Sequence, residues 1–392
     1  MKSSRDRILT THVGSLPRPD DLLELVLAKE EGRPVDDAAL DARVRDAVRE
    51  VVRRQAELGL DIVNDGEYSK PSFITYVNER LTGFERRAGE PSRNQWRDSK
   101  EFRAFPKYYE AVAAASERRS GTSRREALVC TGPITYRGQA QLERDLRNLK
   151  QALEGVRVEE AFVTAIAPID IEHWHRNEYY PTQEAYALAI AEAMRTEYLA
   201  IVEAGFILQI DDPRLLTQYT REPDWTVADC RKWAESRVEI LNHALRGIPE
   251  DRIRYHTCYG INIGPRVHDM ELKDMVDIIL KVRAGAYSFE WANPRHAHEW
   301  RVWREVKLPE HKLLIPGFIT QSSVLVEHPE VVAEGIMRFA NVVGRERVIA
   351  GADCGFATFA ASREIAEEIV WAKFRSLVEG ARLASRRLWG RG

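Results

Sequence analysis

Short apolar, β-rich runs alternate with longer helical stretches along this chain. Candidate strands are ILTTHVGS (8–15), DIVNDGE (61–67), ALVCTGPIT (127–135), EEAFVTAIAP (159–168) and FILQIDDP (206–213). Further along come RIRYHTCYG (252–260), AYSFEWA (286–292), LLIPGFI (313–319) and RVIAGADCGF (347–356). Nearly all end in Gly, Pro, Asp or Glu, residues that cap helices or tolerate the backbone angles of a strand-to-helix turn. Before FILQIDDP, the residues Leu188, Ala191, Met194, Tyr198 and Ile201 recur at steps of three or four and predict one buried helix face. Thr182 can cap that helix and Gly205 can close it.

Regular alternation of strand and helix predicts an α/β protein with a parallel sheet, and the fold read from it is a (β/α)₈ TIM barrel. Nine candidate strands compete for eight places, so one is accessory. An open doubly wound sheet would also take the pattern, but no G-x-G-x-x-G follows an early strand and no P-loop is present. Residues 85–125 break the rhythm: they are polar, charged and weakly periodic. They read as an insertion in a single domain, either solvated on the barrel rim or serving as a lid.

Composition narrows the class of partner. Of 392 residues, 44% are hydrophobic, enough to bury a large core. The 58 basic and 61 acidic residues leave a net charge of -3, which offers no positive field for nucleic acid. There is no membrane-length apolar run and no apolar signal segment, so a cytoplasmic location is expected, with small molecules as partners. A homo-oligomer stays open. Four cysteines (Cys130, Cys230, Cys258 and Cys354) in a reducing compartment favour metal binding, catalysis or burial over disulfides.

The clearest chemical signal is His256-Thr257-Cys258 at a strand end. Side chains two apart share a strand face, so His256 and Cys258 can grip one ion. Glu290 ends the next strand and Cys354 a later one, about one and two βα units downstream, which can bring all four groups to one barrel face. Two thiolates, an imidazole and a carboxylate suit tetrahedral zinc. A zinc-bound substrate thiol would be held as thiolate, and Glu290 is the weakest of the four ligands against an incoming sulfur. Cys130 and Cys230 have no such companions and read as packing.

Other strand ends offer ligand groups. Glu67 and Asp211 can hold a substrate ammonium, work as acid or base, or cap a helix; they are read as ligand groups, and Asp212 as a helix cap. Gly14-Ser15 is either an ordinary turn or a pair of backbone donors for a carboxylate. Trp174 either stacks on a flat ligand or packs in the core.

Taken in order, V-G-S-x-P, D-G-E, Q-I-D-D-P, H-x-C, S-F-E and D-C-G resemble the catalytic half of cobalamin-independent methionine synthases. The resemblance runs from about Leu9 to the C-terminal helix, apart from 85–125, and is closest to the short, single-barrel branch. It implies a methyltransferase on a (β/α)₈ barrel with zinc held by His256, Cys258, Glu290 and Cys354. It implies that Val13, Gly14, Ser15, Glu67 and Asp211 hold the amino acid group of homocysteine. It also implies that Trp174, six residues after Pro168, stacks on a methyltetrahydrofolate donor. The sequence departs from the family in having no counterpart of its N-terminal barrel. It also has Ser322 where the family places a proton-handling histidine, for which His12, beside the Gly14-Ser15 turn, is a candidate substitute. These departures leave room for a corrinoid or other methylated donor, or for epoxide opening of the epoxyalkane:coenzyme M transferase type.

Overall fold

The computed structural model describes residues 1–91, 98–119, 126–260, 264–361 and 365–390. Eight parallel strands form a barrel: β1 Leu9–Thr10, β2 Ile62–Val63, β3 Glu160–Ile166, β4 Ile207–Asp211, β5 Ile253–His256, β6 Ala286–Phe289, β7 Leu313–Ile319 and β8 Ile349–Ala352. Each pairs with its sequence neighbour from β2 round to β8, and β8 pairs with β1. The ring closes between β1 and β2, where Asp61 N–H donates to Thr10 O at 3.2 Å and Thr11 Oγ1 to Ile62 O at 3.1 Å. The expected (β/α)₈ barrel is therefore the observed fold.

The outer helices follow the strands in turn: α1 Asp37–Leu58, α2 Gln139–Ala152, α3 Gln183–Glu203, α4 Val227–Ala244, α5 Val276–Ile279, α6 Val302–Glu305, α7 Pro329–Val343 and α8 Glu367–Trp389. Thr182 Oγ1 caps α3 by accepting the Ala185 N–H, and Gly205 closes it at φ 96°. Ala191, Met194, Tyr198 and Ile201 are buried as the spacing predicts, but Leu188 is 40% exposed. At about 100° per residue Leu188 sits roughly a third of a turn from Met194, and Ala187 and Ile190 take the inner positions instead.

The third candidate, ALVCTGPIT (127–135), is the accessory strand. Glu126–Cys130 pairs antiparallel with Phe84–Pro91 and parallel with Arg176–Asn177, in a separate three-stranded sheet. It is the return limb of the excursion between β2 and β3. Within the 85–125 segment, 92–97 and 120–125 lie outside the described residues. The helices Lys100–Ala104 and Pro106–Arg119 are described, and the first is anchored. Buried Glu101 accepts the Val267 and His268 N–H groups at 2.7 and 2.6 Å. Lys100 Nζ donates to Pro223 O and Trp225 O. These bonds tie the segment to the loops that follow β4 and β5.

Strand alternation builds two apolar layers. Outward residues such as Ile253 and Tyr255 join the large core under the helices. Leu9, Ile62, Phe162, Ile207, Ala286, Leu313, Ile315 and Ile349 form a second cluster within the strands. On β5 the corresponding residue is Arg254, whose guanidinium lies 4.0 Å over the Phe162 ring and donates to Thr11 Oγ1 and His12 O. The next residues with the same parity on β5 and its extension are His256 and Cys258. Among the described residues no helix is long and apolar enough to cross a membrane.

Candidate active site

Three of the four residues expected to bind metal come together. The ligand atoms of His256, Cys258 and Cys354 all lie within 4.8 Å of one another, and all three residues are buried. The Cys258 and Cys354 sulfurs are 3.6 Å apart, too far for a disulfide and suited to two corners of one coordination tetrahedron. His256 Nδ1 faces Ser288 Oγ at 3.2 Å. That contact orients the ring, and Nε2 is left buried with no hydrogen-bond partner. Burial, helped by the Arg254 charge, pushes this imidazole down to about 3, so it is neutral and carries a free lone pair. The nearby Cys354 sulfur, burial and the Glu290 charge raise the Cys258 thiol well above its ordinary range. A partnerless neutral imidazole beside two thiols is the donor set expected of a soft or borderline cation.

Glu290 stands beside this group, outside the mutually close set. Its Oε1 accepts the Tyr259 N–H at 2.9 Å. Its Oε2 accepts from Asn293 Nδ2 at 3.0 Å and lies 3.6 Å from Arg266. The turn after Glu290 is fixed by Asp353, whose carboxylate accepts the N–H groups of Trp291, Ala292 and Asn293. Burial and the charge of Glu290 push Asp353 up to about 8. Asn293 and Arg266 are supports that the motifs did not reveal, and Asp353, the Asp of D-C-G, has a supporting role that the motif alone did not show.

Tyr259 is itself held from the far side. The His296 ring stacks on it at 3.6 Å, nearly parallel, while bonding Glu299 and Asp269 at 3.1 Å each. Burial opposes a charge on His296, but the two acceptors outweigh it and raise the ring to about 9. Because this exceeds the ordinary value near 6.5, protonated His296 favours the folded state. The contribution, on the order of 3 kcal/mol, is complete below pH 6.5 and fades as pH rises through 9. The melting temperature of the wild type should exceed that of His296→Gln clearly at pH 6, with the gap closing by pH 9.5.

The second group of predicted residues also converges. Gly14 has φ 137°, and a Cβ there would fall 2.7 Å from Thr164 and 3.1 Å from Glu67 Oε1, so only glycine fits the turn. Val13 O accepts from Gln209 Nε2, which also donates to Asp211 Oδ1 at 2.6 Å. Glu67 adopts φ 59°, an uncommon backbone for a side chain of this size. Its Oε1 accepts from Thr164 Oγ1 at 2.7 Å, and its Oε2 is buried without a partner. Burial and the charge of Glu67 raise Asp211 well above the carboxylate range.

Two contacts join this group to the metal candidates. Asp211 and His256 are register partners on β4 and β5. Ser15 Oγ packs where a Cβ of Gly355, next to Cys354, would lie. Asp212 serves as the expected cap, accepting the Leu215 N–H at 3.0 Å.

Trp174 is half-buried, 6.4 Å from the Phe359 ring. It lines a cavity of about 410 Å³ with Pro71, Tyr76, Asn78 and His175 among others. The His12 expectation does not hold. That ring is buried between Phe162 and Phe374, bonded to Gln55 Oε1 at 2.7 Å and pushed down to about 3 by burial. Cys130 and Cys230 are free and buried, as packing predicts.

Residues 8–379 match the family described as the catalytic domain of cobalamin-independent synthases. The chain is 26% identical to a methionine synthase of Sulfolobus acidocaldarius, covering 98% of this chain and 94% of that one. It is 26% identical to one of Thermococcus kodakarensis, covering 97% and 94%. Its fold is similar to that of a B12-independent methionine synthase from Shewanella sp. W3-18-1, with a TM-score of 0.71, 18% identity, and coverage of 98% and 99%.

Proposed function

Since this chain belongs to the cobalamin-independent synthase family, we propose that it is a zinc enzyme that transfers a methyl group from methyltetrahydrofolate to the thiol of homocysteine. The observation that carries the metal part is the meeting of His256, Cys258 and Cys354, with His256 Nε2 partnerless and buried. Zinc held there would supply Lewis acidity that keeps an incoming thiol deprotonated near neutral pH. Glu290, anchored beside the cluster by Tyr259 and Asn293, would be the fourth ligand and the one to yield to substrate.

The chain's own residues then orient the acceptor. Glu67 Oε2, buried without a partner, and the carboxyl oxygens of Asp211 suit a substrate ammonium, which can only donate and whose charge would draw Asp211 back toward its ionised form. Backbone groups of the Val13–Ser15 turn suit its carboxylate. Trp174 offers a flat face to the donor ring, and the anchored Lys100–Ala104 helix helps to exclude water. Positioning of this kind can account for a large share of the acceleration in a two-substrate transfer. The orphan acceptor on Glu67 favours an amino-acid thiol over a sulfonate thiol, which argues against epoxide opening.

The test is a screen of the zinc-loaded protein with homocysteine or coenzyme M as thiol, and methyltetrahydrofolate, a methylcorrinoid or an epoxide as donor, read by mass spectrometry. Methionine formed from methyltetrahydrofolate is expected. Methionine from the methylcorrinoid alone would replace the donor, and thioether formed from epoxide would overturn the reading.

A further inference from the structure

Lys70 and Thr164 are not among the expected site residues, yet hydrogen bonds tie both to the buried Glu67 carboxylate. Lys70 is 4% exposed and Thr164 is 2% exposed. The Lys70 ammonium donates to Thr164 O at 2.7 Å and to Thr164 Oγ1 at 2.9 Å, and it lies 4.4 Å over the Tyr76 ring. The backbone of the same segment is pinned by Arg18, which donates to Glu67 O and Lys70 O at 2.7 Å each.

The direction of these bonds has a chemical consequence. An ammonium can only donate, so Thr164 Oγ1 must accept from Lys70. The hydroxyl hydrogen is then committed to Glu67 Oε1. Receiving that hydrogen fixes the Glu67 rotamer and keeps the carboxylate an acceptor, with Oε2 left over.

We propose that Lys70, acting through Thr164, is a positioning residue that sets the polarity of Glu67 and so selects ligands bearing an α-ammonium group. This deepens the homocysteine reading above by giving the acceptor class a physical cause. Lys70 acts through its neighbour and touches no reacting atom. Without it, the Thr164 hydroxyl loses the donor that fixes its orientation and can turn its hydrogen away, and Glu67 loses its fixed direction.

The experiment measures binding of L-methionine and of its des-amino analogue, 4-(methylthio)butanoate, to the zinc-loaded protein by calorimetry. The wild type is expected to favour methionine by about 30-fold or more, the worth of one charge-assisted hydrogen bond in a buried site. Lys70→Met and Thr164→Val should each bring that preference below about 3-fold, while Thr164→Ser keeps it. A purely structural loss would weaken both ligands together and leave the ratio alone. An unchanged ratio in folded Lys70→Met or Thr164→Val protein, or no preference in the wild type, would overturn the proposal. If Lys70→Met does not fold, the Thr164 pair decides. A Lys70-dependent preference in a protein that methylates no thiol would sustain this inference and overturn the homocysteine reading instead.

Discussion

Replacing Cys258 by serine is expected to abolish metal binding and methyl transfer together. The Cys258 sulfur sits 3.6 Å from that of Cys354 and within 4.8 Å of the His256 ligand atom. Serine would put a harder, shorter and protonated oxygen in its place, a poor donor for a borderline-soft ion. Zinc affinity should fall by about 100-fold or more, and kcat by about 1,000-fold, because the remaining residues only position substrate. The fold should persist, since the strands and the helix-facing core do not depend on this side chain. Cys130→Ser and Cys230→Ser make good controls: both sulfurs are buried among packing contacts and should leave zinc content near one per chain. Elemental analysis beside a methyl-transfer assay checks the pair of claims, and a metal-free Cys258→Ser protein with full activity would contradict them.

Glu67→Gln should fall mainly on substrate binding. Glutamine keeps the shape but brings an NH₂ group where the orphan Oε2 now lies, so it presents a donor to a ligand that also only donates. The loss of one buried charge pair costs on the order of 3 kcal/mol, or about 100-fold in kcat/KM for homocysteine, carried by KM. A des-amino thiol should be turned over by the variant about as poorly as by the wild type. Steady-state kinetics with both thiols would show this; a loss confined to kcat would place Glu67 in the chemical step instead.

Much of the fold and site was legible because period and parity survive folding. The H-x-C pair reads directly, since β5 alternates Arg254 and His256 inward and carries the same parity on to Cys258. Cys354 follows from the turn residues that end its strand. What period could not decide was sheet membership. Glu126–Cys130 has the composition of a barrel strand, but the excursion that precedes it supplies an antiparallel partner, Phe84–Pro91. Leu188 was misjudged because steps of three and four define a wide stripe whose edge faces water.

The supports were hidden for a different reason. Thr164 shares parity with Phe162 inside the barrel, and Lys70 lies three residues after Glu67, but nothing in either residue type announces a support for Glu67. His12 seemed free because its neighbours in sequence are turn residues, whereas its neighbours in space are Gln55, Phe162 and Phe374. Glu290 was expected in the cluster on spacing. It stands beside the cluster instead, held by the Tyr259 backbone N–H, by Asn293 Nδ2 and by Arg266, loop groups whose positions the strand period does not set.

The central claim is that His256, Cys258 and Cys354 hold one zinc ion that leaves room for a substrate sulfur. X-ray absorption at the zinc edge tests it directly, comparing the loaded protein before and after homocysteine is added. The expected count is two sulfur neighbours rising to three, with an imidazole nitrogen present in both states. A count that stays at two, or a protein that retains no zinc at these residues, would contradict the account.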